Sequence, residues 1–227
     1  MAGKVATPRA RPERRDRRTR SARAEGTDAR AALLKAAAEV FAQRGFQGAS
    51  VDDIAKRAGY SKGALYWHFE TKHELFFALM EQSVDAPAHE MIELLQSAPA
   101  ERDMAPEASR RFVELVARQR ELLLLDHEYW AQAVRDPSLR GRYAAHRDGL
   151  RTALGKALAV RLANLGAPPS EIVPEEMATV LMSLVAGLER ERLIDTGAVP
   201  DELLGRATVL LYRGLLASAV EPGHASD

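Results

Sequence analysis

The sequence predicts an all-α protein of about nine helices, divided into a small N-terminal unit over residues 29–75 and a larger one over 76–220. Three observations carry that expectation. Apolar residues recur at three- and four-residue intervals along nearly the whole chain. Segment starts are marked by Ser, Thr, Asp or Pro, and several segment ends by Gly. The one apolar run that would suit a strand, Leu122 to Leu125, has no β-branched partner or flanking turn pair, so helix is preferred there too.

Composition narrows the chemistry. With 227 residues there is room for one large or two small domains and a sizeable core. The absence of Cys excludes disulfides, thiolate zinc sites, iron–sulfur clusters and thiol redox sensing, and fits a reducing compartment. No apolar signal core or run of about 18 apolar residues is present, so the expectation is a cytoplasmic protein with no membrane partner. The formal net charge is zero, but residues 1–75 hold 16 Lys and Arg against 9 Asp and Glu, and the remainder is acidic by the same margin. A basic third on an acidic body suits a protein that presents one end to phosphates.

Residues 1–28 hold eight arginines between Arg9 and Arg23 and almost no large apolar residue, so they are expected to be a disordered basic arm. A solvated tail and an arm along a DNA backbone both fit. Asp28 is the expected N-cap of the first helix, which runs to Arg44 and stops at Gly45. Its stripe of Leu33, Leu34, Ala37, Val40 and Phe41 is assigned to the core.

Three short helical segments follow between Gly45 and Leu75. Ser50 with Asp53, and Thr71 with Glu74, have the spacing of capping boxes. Between them, Gly59 can take the positive φ of a helix end and Ser61 can cap the next helix. Ile54, Ala55, Ala58, Leu65 and Phe69 fall where a three-helix core needs them. Left outward on the middle segment are Tyr60, Ser61, Lys62, Gly63, Tyr66, Trp67 and His68, with Lys72 beyond. A short helix whose first turns carry hydrogen-bonding, aromatic and cationic residues suits reading of the major groove. Lys62 and Ser61 are assigned to bases, and Tyr66, His68 and Lys72 to phosphates. Ser50 completes the predicted DNA-binding set.

The segments LLKAAAEVFAQRGF, SVDDIAKRAGYSKGALYWHF and TKHEL resemble, without a gap from Leu33 to Phe76, the DNA-binding domain of the TetR family of bacterial transcriptional regulators. The resemblance implies an N-terminal helix-turn-helix domain followed by a helical ligand-binding and dimerisation domain. Tyr60 stands where many members carry Val or another aliphatic residue, which leaves base preference open.

The fourth helix starts at Thr71, and Pro87 is expected to kink rather than end it, because helical spacing resumes from His89 to Gln96. Pro106 opens the fifth helix, Glu121 to Arg135 forms the sixth, and Asp136-Pro137 opens a long seventh ending near Leu165. Pro174 and Pro200 open the last two, with a disordered tail expected from 221 to 227. These last helices are apolar on more than one face, which fits either a deep core or a surface shared between subunits. The resemblance selects a homodimer, with Met177, Leu181, Leu184, Leu188, Leu203, Ala207, Leu210 and Gly214 at the interface. It also places a small-molecule pocket among the middle helices. There Phe112, Val116, His127, Tyr129, Trp130, His146 and Arg147 combine apolar surface with polar handles.

No Gly-x-Ser-x-Gly, phosphate-loop or His-Glu-x-x-His pattern occurs, so no catalytic residue, metal or cofactor is assigned. The expectation is a ligand-responsive regulator, a repressor of a pseudo-palindromic double-stranded DNA operator. A ligand-independent architectural DNA-binding protein, or an enzyme with a structural N-terminal unit, is the alternative.

Overall fold

The computed structural model describes the backbone of residues 13–99, 102–166 and 173–220, and side chains from Thr27 to Ser218 within those spans. Every regular element among the described residues is helical. The N-terminal unit holds α1 (Glu13–Gly48), α2 (Val51–Ala58) and α3 (Lys62–His68). The rest comprises α4 (Lys72–Met80), α5 (Ala86–Ser97), α6 (Ala105–Arg118), α7 (Arg120–Ala133), α8 (Pro137–Asn164), α9 (Pro174–Ile194) and α10 (Asp201–Val220).

The helix starts obey local chemistry. Ser50, Ser61 and Thr71 sit in extended conformation, and their side-chain oxygens accept the N–H groups of Asp53, Ala64 and Glu74. Asp53 and Glu74 do not close the expected reciprocal boxes. Asp53 instead accepts from the Ser50 hydroxyl at 2.7 Å and pairs with Arg44, and Glu74 accepts the Glu70 N–H at 2.7 Å. At the end of α2, Gly59 has φ 78°, with Gly59 N–H on Lys56 O and Tyr60 N–H on Ala55 O. That double bond is a Schellman ending, and it sets the turn of the helix-turn-helix.

Two boundaries differ from expectation. α1 begins at Glu13, inside the predicted arm, so Asp28 lies within a helix rather than capping one. The Arg, Ala and Glu residues upstream are good helix formers, and the helix runs on through Gly26. Residues 1–12 of the predicted arm and the whole predicted tail, 221–227, lie outside the described residues. The break expected at Gly45 is present, as φ 68° and ψ 178°, but one further turn follows to Gly48. Ahead of Pro87 the chain does not stop; Glu81–Asp85 widens into a π-helical turn that leads into α5. A wider turn accommodates a ring that would otherwise crowd a carbonyl four residues back.

The largest core cluster joins the two units. Leu33, Phe41, Ile54, Leu65 and Phe69 of the N-terminal unit are continuous with Leu75, Phe76 and Leu79 of α4 and with Leu122, Leu125 and Tyr129 of α7. A second cluster packs Leu158 and Leu162 of α8 against Met177 and Leu181 of α9 and Tyr212 and Leu215 of α10. Met177 and Leu181 are therefore buried within the subunit, not on the outer face predicted for them. Leu188 likewise packs inward, against Val116, Val199 and Leu204. Helices this apolar need both an inner and an outer partner, and the sequence pattern alone does not say which residues face which.

A Cβ at Gly45 would lie 2.7 Å from the Glu128 carboxylate and would hold a backbone conformation that side chains rarely adopt. Gly45→Ala is therefore expected to lower unfolding free energy by about 1–3 kcal/mol in urea titration. Gly187→Ala, where an added Cβ meets nothing within 4 Å, should cost nothing. Equal effects at the two positions would contradict this packing.

Candidate nucleic-acid interface and regulatory cavity

α3 stands out from the surface of the N-terminal unit. Trp67 is 78% exposed, Tyr66 44% and Tyr60 37%, while Leu65 anchors the opposite face with no exposure. Lys62, at the first turn, pairs with Asp52 of α2 at 3.0 Å, and that carboxylate holds the ammonium above its ordinary range. Exposed pairs of this kind are weak, so an approaching phosphate or base edge can displace Asp52. Ser61 is exposed and keeps its O–H free while its oxygen caps Ala64. A Cβ at Gly63 would lie 3.8 Å from the Ser61 hydroxyl, an ordinary contact. His68 packs on Trp67 with centroids 4.7 Å apart; burial, then Arg30, holds its imidazole below the ordinary range.

Two members of the predicted set are engaged elsewhere. Ser50 uses its hydroxyl twice on Asp53, accepting the N–H at 3.1 Å and donating to the carboxylate, so it serves as a cap. Lys72 turns inward. Its Nζ donates to the carbonyls of Phe46 at 2.8 Å and Ala49 at 3.1 Å, reaches Gln47 O at 3.5 Å, and lies 4.5 Å from the centre of the Phe46 ring. Burial pushes this ammonium below its ordinary range, and Glu128 opposes the shift. An ammonium has three donors, and here the turn after Gly45 takes them. Lys72 therefore ties down the end of α1 and is not presented on the DNA-reading face.

The same turn is held from its other side by α7. Glu128 accepts the backbone N–H groups of Phe46 at 2.9 Å and Gln47 at 3.2 Å. Beside it, Phe46 packs on His73, Phe76 and Tyr129, and Tyr129 stacks on Phe76 at 4.4 Å with 5° between planes. Tyr129 is wholly buried, and its hydroxyl meets His73 Nδ1 at 3.0 Å. It belongs to this junction and not to a ligand pocket, in contrast to the prediction. Glu128 and His73 were missed by sequence reasoning, since a carboxylate that accepts backbone N–H groups 81 and 82 residues away leaves no local pattern.

A cavity of about 200 Å³ lies among α5 to α10 and the π-helical turn. Of the predicted residues, Phe112, Val116, His127 and Arg147 line it. Trp130 does not: it is 43% exposed, with the Arg190 guanidinium 6.0 Å from its ring. His146 does not either. It faces a separate cleft between the N-terminal unit and α8, where it meets Asp85 at 3.3 Å and packs on Phe77. On a helix, residues one apart point about 100° away from each other, and α7 thereby sends His127 to the cavity, Glu128 to the turn and Tyr129 to the junction core.

The cavity wall is mostly apolar, with Asp126, His127, Arg147, Glu189 and Tyr212 as its ionisable groups. Asp126 accepts the Tyr143 hydroxyl at 3.0–3.1 Å, and burial pushes its carboxyl above the ordinary range. His127 Nδ1 meets the Leu123 carbonyl at 2.7 Å. Glu189 is 3% exposed, and burial pushes it up to about 7. The sequence carried a signal for it: Glu189 continues the i, i+4 stripe of Met177, Leu181 and Val185, where an apolar residue is expected. Among the described residues no cluster of three or more His, Asp or Glu could hold a metal, and no helix is long and apolar enough to cross a membrane.

Two family models match the chain. Residues 33–79 match the bacterial regulatory proteins of the tetR family, and residues 91–211 match the C-terminal part of BetI-type transcriptional repressors. The HTH-type transcriptional regulator TtgR of Pseudomonas putida is 32% identical over 210 residues, 86% of this chain and 94% of that protein. The HTH-type transcriptional activator FasR of Mycolicibacterium smegmatis is 52% identical over 56 residues only, 25% of this chain and 26% of that protein. Among solved structures, one assigned to the TetR family from Mesorhizobium loti superposes with a TM-score of 0.65 over 85% of this chain and 96% of its own, at 22% identity, a likeness of fold.

The two lysines at this end are expected to separate experimentally. Lys72→Met should lower unfolding free energy by about 1–3 kcal/mol, because carbonyls at the turn lose a charged donor. Lys62→Ala should leave the urea midpoint unchanged and relax the sequence preference of DNA binding, as loss of a base contact does. Unchanged stability in Lys72→Met, with a flattened salt slope, would return Lys72 to the phosphate-binding set.

Proposed function

The chain belongs to the TetR family of bacterial regulatory proteins, whose members are transcriptional regulators and not enzymes, and from that premise we propose that it is a homodimeric repressor released from its operator by a small molecule. One observation carries the reading: α7 lines the cavity with Leu123 and His127 and, one residue further on, grips the turn that precedes the helix-turn-helix with Glu128. A ligand that displaces this stretch of α7 displaces the support of α2 and α3. The BetI-type repressor match over the C-terminal half supports repression as the sign.

Dimerisation is proposed through the outer faces of α9 and α10. Leu210 is 68% exposed and Val180 44%, with Leu184, Leu203 and Ala207 half-buried beside them and Gly214 open to close approach. Exposed apolar residues aligned on two adjacent helices suit a self-complementary interface. Two copies of α3 would then enter successive major grooves about 34–36 Å apart. Tyr60, Ser61, Lys62, Gly63, Tyr66, Trp67 and His68 form the proposed contact set. Release requires that the effector favour the spread conformation, by typically 1–3 kcal/mol per coupled site.

Leu210→Glu tests the reading. In sedimentation equilibrium it is expected to be monomeric, and in fluorescence anisotropy it should lose operator affinity on a DNA fragment selected from the genome by the wild type. A Leu210→Glu dimer that binds this fragment normally would overturn the proposed interface.

A further inference from the structure

We propose that Glu189 makes the cavity a receptor for amphipathic organic cations, with the carboxylate as anchor for an ammonium group and the apolar wall as the bed for its hydrocarbon body. The inference rests on the proposed function in taking the cavity as the effector site. It adds the chemical class of the ligand and the residue that selects it.

Glu189 is almost fully buried, lines the cavity, and its Oε1 has no hydrogen-bond partner. Buried polar atoms are nearly always paired, because an unmet acceptor loses the hydrogen bonds that water would give it. An unmet carboxylate oxygen on the wall of an open cavity is therefore complementary to a donor that arrives with a ligand. On the same wall, Met91, Ile92, Leu95, Phe112, Leu181 and Val185 offer no donor, and the hydroxyls of Ser109 and Thr208 donate to the Gly205 and Leu204 carbonyls.

Charge selects a cation over a neutral donor. The groups acting on Glu189 are Arg192 and Asp201. Arg192 is on the same helix but does not line the cavity, and it pairs with Asp201. Its NH1 is also buried without a partner, which makes an anionic ligand the natural competitor of the proposal. Elsewhere on the wall, Arg147 acts on Asp126, which also holds the Tyr143 hydroxyl, and His127 bonds the Leu123 carbonyl. The one guanidinium of the lining thus already stands beside Asp126, and the carboxyl oxygen left without a partner is that of Glu189.

The proton on Glu189 gives a second signature. Burial raises its carboxyl toward neutrality, so in the empty cavity it is largely protonated at pH 6 and largely ionised at pH 8. A permanent cation binds the ionised form, and protons compete with it. Affinity should therefore rise with pH through about 7.

The test is isothermal titration of the full-length protein with decyltrimethylammonium, decyl sulfate and decanol at pH 8 and pH 6, in the wild type and in Glu189→Gln. The cation is expected to bind the wild type at pH 8 about tenfold more tightly than decyl sulfate. It should weaken about tenfold in Glu189→Gln and several-fold in the wild type at pH 6, with decanol unaffected by the substitution. Glu189→Asp, which keeps the charge, should retain the cation preference if the Gln variant folds poorly. Preference for decyl sulfate, equal cation affinity in wild type and Glu189→Gln, or no binding by the cation would each overturn the inference. The same titrants, added to the protein on its selected DNA fragment, separate the two readings. Glu189-dependent cation binding that leaves DNA binding unchanged supports the anchor and contradicts effector release. Release by decanol or decyl sulfate, but not by the cation, does the reverse.

Discussion

The structure depends on how one irregular turn is satisfied. Gly45 breaks α1, and the single turn that follows to Gly48 starts and ends with backbone groups that no helical neighbour can pair. Two side chains of opposite charge complete them: Glu128 takes the N–H groups of Phe46 and Gln47, and Lys72 gives its protons to the carbonyls of Phe46 and Ala49. Charged hydrogen bonds to backbone are worth about 1.5–3 kcal/mol each, and removal of one partner leaves the other group unmet. Since Ser50 opens α2 directly after this turn, its geometry sets where α2 and α3 stand.

Both gripping residues come from outside the three-helix unit. Lys72 starts α4, and Glu128 lies midway along α7, between His127 on the cavity wall and Tyr129 in the aromatic junction. The DNA-reading unit is thus not a bead on a linker: its core continues into α4 and α7 without interruption. A packed junction of this kind shifts between discrete arrangements more readily than it deforms, which is the property the proposed switch requires.

Much of the fold was legible because helix signals are local. Ser50, Gly59, Ser61 and Thr71 act within four residues of themselves, and the structure uses each as a cap. The outward face of α3 was equally readable, since period and polarity agree there. The misreadings arise where the deciding partner is distant. Lys72 looks like a phosphate ligand until Phe46 and Ala49 are brought to it, and Tyr129 looks like a pocket residue until Phe76 stacks on it. Met177 and Leu181 belong to stripes broad enough for two neighbours, and only packing against α8 and α10 decides between them. Glu189 was legible in principle, as an acid in a buried register, but periodicity counts apolar letters and passes over the exception.

The central claim is that Glu128 positions α3, the proposed DNA-reading helix, through the turn at residues 46–49. Amide hydrogen exchange of the full-length protein, wild type against Glu128→Ala, tests it most directly. The account predicts lost protection at Phe46 and Gln47 together with faster exchange through residues 61–68, while α9 and α10 keep theirs. Faster exchange confined to Phe46 and Gln47, with residues 61–68 unchanged, would contradict it.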